Sequence, residues 1–111
     1  MLFRSVTALW TAARYRIPFL IIVANNRSYG NSQNHQKTVA KQRGRSTEND
    51  WIGTNLDDPV IDLASTGRLQ GLMGGGPVED LSALPEALET AVREVEKGSG
   101  YILDVVISLK P

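Results

Sequence analysis

One run in the 111-residue sequence concentrates potential oxygen ligands: Asn25-Asn26-Arg27-Ser28-Tyr29-Gly30-Asn31-Ser32. Asparagine side chains and the carbonyls of a tight turn are oxygen donors. Magnesium takes six oxygens in a near-octahedral shell, some of them from bound phosphates. Gly30 lets the backbone come close to such a phosphate. Turn chemistry alone also accounts for paired asparagines, and on residue types it is the preferred reading. The other candidates are weaker. His35, the sole histidine, could serve as an acid or base, but its basic, polar stretch offers no obvious carboxylate neighbour, which favours a surface or loop-packing role. Asp57-Asp58 could pair for metal or acid/base work. With Pro59 following, they read better as a helix cap with proline at the first helical position. Gly74-Gly75-Gly76 could cradle a phosphate, yet no Lys-Ser/Thr follows as in a phosphate-binding loop, so they read as a strand-end turn. Ser5, Ser46 and Ser99 have no triad context. No catalytic residue is assigned.

A ligand-binding turn needs elements to aim it. Val6, Leu9, Trp10 and Ala13 are spaced as one helix face with Ser5 as N-cap, and Pro18 ends that helix. Phe19 to Ala24 is a continuous apolar, β-branched run, which suits an inner strand covered on both faces of a parallel sheet. The oxygen-rich run begins at its carboxyl end, where open α/β sheets bind ligands. Residues 33–56 have weak periodicity, with Val39 and Ala40 on a short helix and Trp51 and Ile52 docking back onto the body. Asp58-Pro59 is expected to open a helix whose inner face is Val60, Leu63 and Ala64, with Gly67 inside it at a cost of about 1 kcal/mol relative to alanine. Leu72-Met73 form a short strand before the glycine turn. Asp80 caps a further helix carrying Leu84, Leu88, Val92 and Val95 on one stripe, with Gly98 at its end. Tyr101 to Leu109 is the final strand. Helices alternating with buried strands predict βαβ units with right-handed crossovers. The expected fold is therefore α/β: a partial doubly wound, Rossmann-like parallel sheet of three strands with flanking helices, forming one partial domain over residues 1–111.

The composition, 41% hydrophobic and 22% charged, excludes a disordered or fibrous chain. The lack of cysteine excludes a disulfide framework and any thiol chemistry, and fits the reducing cytoplasm, the expected location. The strongest apolar run is far too short to span a bilayer. Net charge is zero, but no acid precedes Glu48, while Arg4, Arg14, Arg16, Arg27, Lys37, Lys41, Arg43 and Arg45 all do. Such sorting can signal an anionic partner. Nucleic acid is not expected, because the basic residues are scattered and only Tyr15 and Tyr29 lie among them as stacking aromatics. The acid-free start, Met1 to Arg16, has the composition of a transit peptide but leads straight into a strand without a linker.

A longer pattern adds to these readings. Ala8 to Ala13, Arg16-Ile17-Pro18, the apolar strand and Asn25-Asn26-Arg27-Ser28-Tyr29-Gly30 occur in that order. They are followed by His35-Gln36, Arg43-Gly44-Arg45, Trp51-Ile52-Gly53, Asp57-Asp58-Pro59, Gly76-Pro77-Val78 and Asp104-Val105-Val106. The whole resembles the C-terminal, thiamine-diphosphate-binding domain of the acetolactate synthase, benzoylformate decarboxylase and pyruvate decarboxylase group. The resemblance implies that Asn26 ligates Mg2+ through its side chain and Ser28 through its carbonyl. It also implies that Tyr29 and Gly30 lie against the diphosphate, while Asn25 braces the turn. The implied chemistry is C–C bond cleavage or ligation on 2-keto acids or related carbonyl compounds, in a homo-oligomer when full-length. The family signature begins with Gly-Asp-Gly, which this chain lacks. Alignment places that motif just before Met1, so the chain is expected to start immediately after it. The family's carboxylate ligand and the preceding strand would then be missing, leaving an exposed edge on Phe19–Ala24. The domain that supplies the activating glutamate is missing too, and Ser32 stands where several relatives carry an acid. The chain alone is therefore expected to be inactive. The alternatives are a truncated fragment with only a structural role, or an anion- or nucleic-acid-binding module using the basic first half.

Overall fold

The computed structural model describes residues 5–49 and 51–108. They fall into two compact units, residues 5–24 with Asp62–Ile107, and the described residues of 25–61 with Ser108. The first unit contains helix α1 (Thr7–Arg14), strand β1 (Phe19–Asn25), helix α3 (Leu63–Leu69), strand β2 (Met73–Val78), a 3-10 turn (Leu81–Ala83), helix α4 (Leu84–Glu96) and strand β3 (Gly100–Val106). The second contains helix α2 (Gly30–Gln42) and turns. This is the expected α/β architecture, a three-stranded parallel sheet with flanking helices.

The strand order is β1-β3-β2. A strand with neighbours on both edges and helices on both faces must be apolar on both faces, and β3 meets that demand. Leu103, 1% exposed, packs with Val78, Ala91 and Tyr101 on the α4 side. Ile102 packs with Leu9 and Leu72 on the other. Burying a side chain like Leu103 contributes about 1.5–3 kcal/mol. Asp104, 2% exposed, is the polar exception on this strand.

The expectation that Phe19–Ala24 is an inner strand covered on both faces fails, whereas the exposed edge expected for it is found. β1 is an edge of the described sheet. Its side chains alternate from Ile21 onward, and Ile22 is 53% exposed. The reason is coverage: α4 packs on β3 and β2, and among the described residues Ile22 stays half exposed. Phe19, Ile21 and Val23 join Leu9 in the core on the opposite face.

The glycine run is also different from the expected turn. Gly74, Gly75 and Gly76 belong to β2, which pairs in parallel with β3 through Met73 with Tyr101, Gly74 with Ile102 and Gly75 with Leu103. A Cβ on Gly74 would sit 2.5 Å from the Ala64 carbonyl oxygen, one on Gly75 would meet the Tyr101 hydroxyl, and one on Gly76 the Asp104 carbonyl. The strand is glycine-rich because helix and neighbouring strand approach it closely. The register then shifts between Gly75 and Val78, where Gly76 has φ +99° and the Gly76–Pro77 peptide is cis.

Gly67 has the same explanation. It is buried in α3, and its Cβ would lie 2.8 Å from Ile102 Cδ1, so its helix cost permits close packing. That helix starts later than expected. Asp58-Pro59 opens no helix: its peptide is cis, Asp57 bridges Val60, and Val60 is exposed. The cap is Asp62, which accepts hydrogen bonds from the Ser65 N–H (2.9 Å) and hydroxyl (2.6 Å). The Ser65 hydroxyl and then its N–H hold this carboxyl below the usual carboxylate range. Asp80 caps the 3-10 turn ahead of α4 by accepting from the Ser82 N–H at 2.9 Å. The inner stripe of α4 is Leu84, Ala87, Leu88, Ala91 and Val95, with Val92 facing solvent. On α1 the buried residues are Leu9 and Ala12, whereas Val6 and Trp10 are exposed. Trp51 and Ile52 are exposed as well, because Thr54 is the residue of that turn that points inward. Leu109 lies outside the described residues.

Among the described residues the four α-helices end in the same hydrogen-bond pattern. The second residue past each helix's last cap bonds back across the final turn: Ile17 N–H to Ala12, Arg45 to Ala40, Leu72 to Gly67 and Ser99 to Glu94. This motif needs a left-handed residue just past the cap. Gly44, Gly71 and Gly98 fill it at three ends, but α1 uses Arg16 at φ +51°. A side chain there costs about 1–2 kcal/mol, partly offset by the lower unfolded-state entropy of a non-glycine residue. Arg16→Gly is therefore expected to stabilise the fold by about 0.5–1 kcal/mol, read as a higher urea midpoint at unchanged slope. A lower midpoint would show that the arginine side chain contributes more than its backbone costs. Among the described residues no helix is long and apolar enough to cross a membrane.

Candidate functional site

The oxygen-rich run starts the second unit. The sequence leaves β1 at Asn25 and enters α2 at Gly30, so the loop is shorter than expected. Asn31 and Ser32 are helical, and Gly30 is a buried helix-opening residue. Between them lie two successive asparagine turns. Asn25 Oδ1 accepts from the Arg27 N–H at 3.0 Å, and Asn26 Oδ1 accepts from the Ser28 N–H at 3.1 Å. Both side chains thus satisfy backbone donors two residues on, the local bonding that suits asparagine to turns. A carbonyl oxygen has two lone pairs, so Asn26 Oδ1 keeps acceptor capacity beyond that bond. Arg27 between them has φ +52°. A left-handed arginine is a strained arrangement of the kind found at binding turns.

Residues 51–56 hold the turn from the other side. Tyr29 N–H donates to the Thr54 carbonyl and Leu56 N–H to the Arg27 carbonyl, both at 2.7 Å. They flank an antiparallel bridge between Ser28 and Asn55. Ser28 and Asn55 are a non-hydrogen-bonded pair in that bridge, and the Ser28 carbonyl takes no part in the two flanking bonds. From the first turn of α2, Gln33 Nε2 donates to Thr54 Oγ1 at 2.8 Å and to Asn55 Oδ1 at 2.7 Å. Thr54 is buried and donates its hydroxyl proton to the Trp51 carbonyl at 3.0 Å. Gln33, Thr54 and Asn55 meet across 21 and 22 residues without a local motif, so nothing in their order along the chain points to them.

The helix that follows is prepared for negative charge. Its first N–H groups have no intrahelical partners. Tyr29 gives no side-chain cap, and no acid lies in the first turn. An uncapped helix start of this length carries a partial positive charge and free donors, which suits a phosphate.

Asn26, Ser28, Tyr29 and Gly30 are therefore consecutive parts of one braced turn and helix start. Asn25 and Asn26 make equivalent bonds, so bracing does not distinguish them. His35 is exposed on α2, outside this network, and Asp57 and Asp58 are exposed in their own turn. Among the described residues no three His, Cys, Asp or Glu gather where they could hold a metal.

No curated protein and no solved structure matches the chain. The family described as thiamine pyrophosphate enzyme, C-terminal TPP binding domain, matches residues 1–105. With an α/β sheet of the kind such a domain needs, and a match over nearly its full length, the chain belongs to the C-terminal TPP-binding domain family of thiamine pyrophosphate enzymes.

Proposed function

We propose that the turn from Asn26 to Gly30 grips the diphosphate of thiamine diphosphate (TPP) together with Mg2+. The chain would be the cofactor-binding part of an acetolactate-synthase-like lyase or transferase acting on 2-keto acids or related carbonyl compounds. The observation that carries this reading is the braced turn of Asn26 and Ser28 running directly into an uncapped, acid-free helix start. The amide oxygen of Asn26 and the carbonyl of Ser28 would hold the metal, Tyr29 and Gly30 would lie against the diphosphate, and the helix-start N–H groups from Gly30 onward would face it, since the Tyr29 N–H is bonded to the Thr54 carbonyl. Bound thiamine diphosphate supplies an electron sink for making or breaking a C–C bond beside a carbonyl. The residues of this chain bind and orient; none of them is assigned a proton-transfer role. Homo-oligomerisation of the full-length enzyme and a cytoplasmic location, the latter in keeping with the absence of cysteine, belong to the same proposal.

The donor set is neutral. Magnesium sites normally include one or two carboxylates, and the turn has none. The chain by itself is therefore expected to show little thermal shift when Mg2+ and thiamine diphosphate are added together. A version extended at its amino end by a strand and Gly-Asp-Gly is expected to gain one, since a ligand at 100 times its Kd stabilises by about 2.7 kcal/mol. An extended protein that melts at the same temperature with and without cofactor would remove the assignment of this turn.

A further inference from the structure

A groove on the α4 face of the sheet takes no part in the cofactor reading. Its volume is about 250 Å³, and its walls include Gly75 of β2, Glu86, Ala87 and Thr90 of α4, and Tyr101 and Leu103 of β3. A Cβ on Gly75 would meet the Tyr101 hydroxyl, so the phenol lies across the strand with its oxygen at the groove. Tyr101 is only 6% exposed. A buried tyrosine hydroxyl ordinarily finds a hydrogen-bond partner, yet among the described residues nothing bonds to this one. The oxygen is not sealed in either, so whatever bonds it reaches it through the groove. Glu86 likewise has no hydrogen bond or ion pair among the described residues. It stands in the first turn of α4, where its charge favours the helix start, a role that leaves its oxygens free to accept.

We propose that this groove binds a small aliphatic ammonium compound, a protonated primary amine with a short apolar tail. Among the described residues the lining holds one carboxylate, two hydroxyls and no cation. An ammonium has three N–H donors, and Glu86, Thr90 and Tyr101 each offer oxygen to accept one. Ala87 and Leu103 give the tail an apolar wall. The volume equals about eight waters and falls below the roughly 300 Å³ at which pockets begin to enclose drug-sized ligands. It has room for a head group and a few carbons. A free amino acid fits poorly, because its carboxylate would lie near Glu86 with no cation to pair with. The groove does not depend on the role of the Asn26–Gly30 turn.

The test is an amide NMR titration of the chain with n-butylammonium chloride, ionic strength held constant with sodium chloride. Saturable shifts at Gly75, Glu86–Thr90 and Tyr101 are expected, with Kd on the order of 10 mM. Glu86→Gln is expected to weaken binding about three- to fivefold. Glu89→Gln, on the same helix but outside the lining, should leave it within about twofold. Tyr101→Phe is expected to weaken binding about threefold without lowering the melting temperature, because no bond within the fold is lost. 1-Butanol, of the same size without the charge, should bind about fivefold more weakly, and butyrate more weakly still. Shifts that never saturate, that sodium chloride alone reproduces, or that appear only at Asn26–Gly30 overturn the proposal. So does a Glu86→Gln chain that binds as tightly as the parent, or butanol or butyrate that binds as tightly as the amine. A Tyr101→Phe chain that melts lower overturns it too, since the hydroxyl would then have a partner inside the fold.

Discussion

Gly76→Ala is expected to destabilise the protein by about 3 kcal/mol, from a left-handed backbone position at about 1–2 kcal/mol and overpacking at about 1–3 kcal/mol, less a small unfolded-state gain. The position combines φ +99° with a Cβ path blocked by the Asp104 carbonyl, a backbone atom that cannot rotate away. Gly98 separates the two contributions. It has φ +97° at the end of α4, with open space where a Cβ would go, so Gly98→Ala should cost only about 1 kcal/mol. In a domain of this size the Gly76 variant would melt roughly 10–20 °C lower. Equal losses at the two glycines would mean that backbone conformation alone, not the close approach of β2 to β3, requires Gly76. A domain stabilised by only about 5–15 kcal/mol has little margin for such a change.

The second large effect is functional. In the amino-terminally extended protein, Asn26→Ala is expected to weaken binding of magnesium thiamine diphosphate by at least about 100-fold, equivalent to roughly 2.7 kcal/mol. Part of any loss would come from the turn, since Asn26 Oδ1 also accepts from the Ser28 N–H, a bond that contributes about 1 kcal/mol. Asn26→Asp is the conservative control. It keeps an acceptor for Ser28 and offers the metal a carboxylate, so it should retain cofactor binding where Asn26→Ala does not. His35→Ala, on an exposed helix position, should change little. Titration calorimetry on the three variants decides the matter. Cofactor affinity that survives Asn26→Ala and falls with His35→Ala would move the site away from this turn.

Sequence order alone determined the alternation of elements, and with it the fold class, because apolar runs and helical spacing report burial wherever a side chain faces the core. It also placed a turn at Asn25, since asparagine bonding is local, but not its end: the run expected to reach Ser32 gives way to α2 at Gly30. Helix ends were legible where glycine marks them, as at Gly98, and hidden where Arg16 takes the same backbone conformation. Three features were decided only by the tertiary structure. Gly74 to Gly76 read as a turn because glycine weakens strands, yet the approach of Ala64, Tyr101 and Asp104 leaves no room for anything larger. Phe19–Ala24 read as an inner strand because its composition is continuous, yet coverage depends on which strands and helices lie beside it. Gln33, Thr54 and Asn55 carry no motif, because a clamp joining a helix start to a distant turn exists only once the chain has folded back.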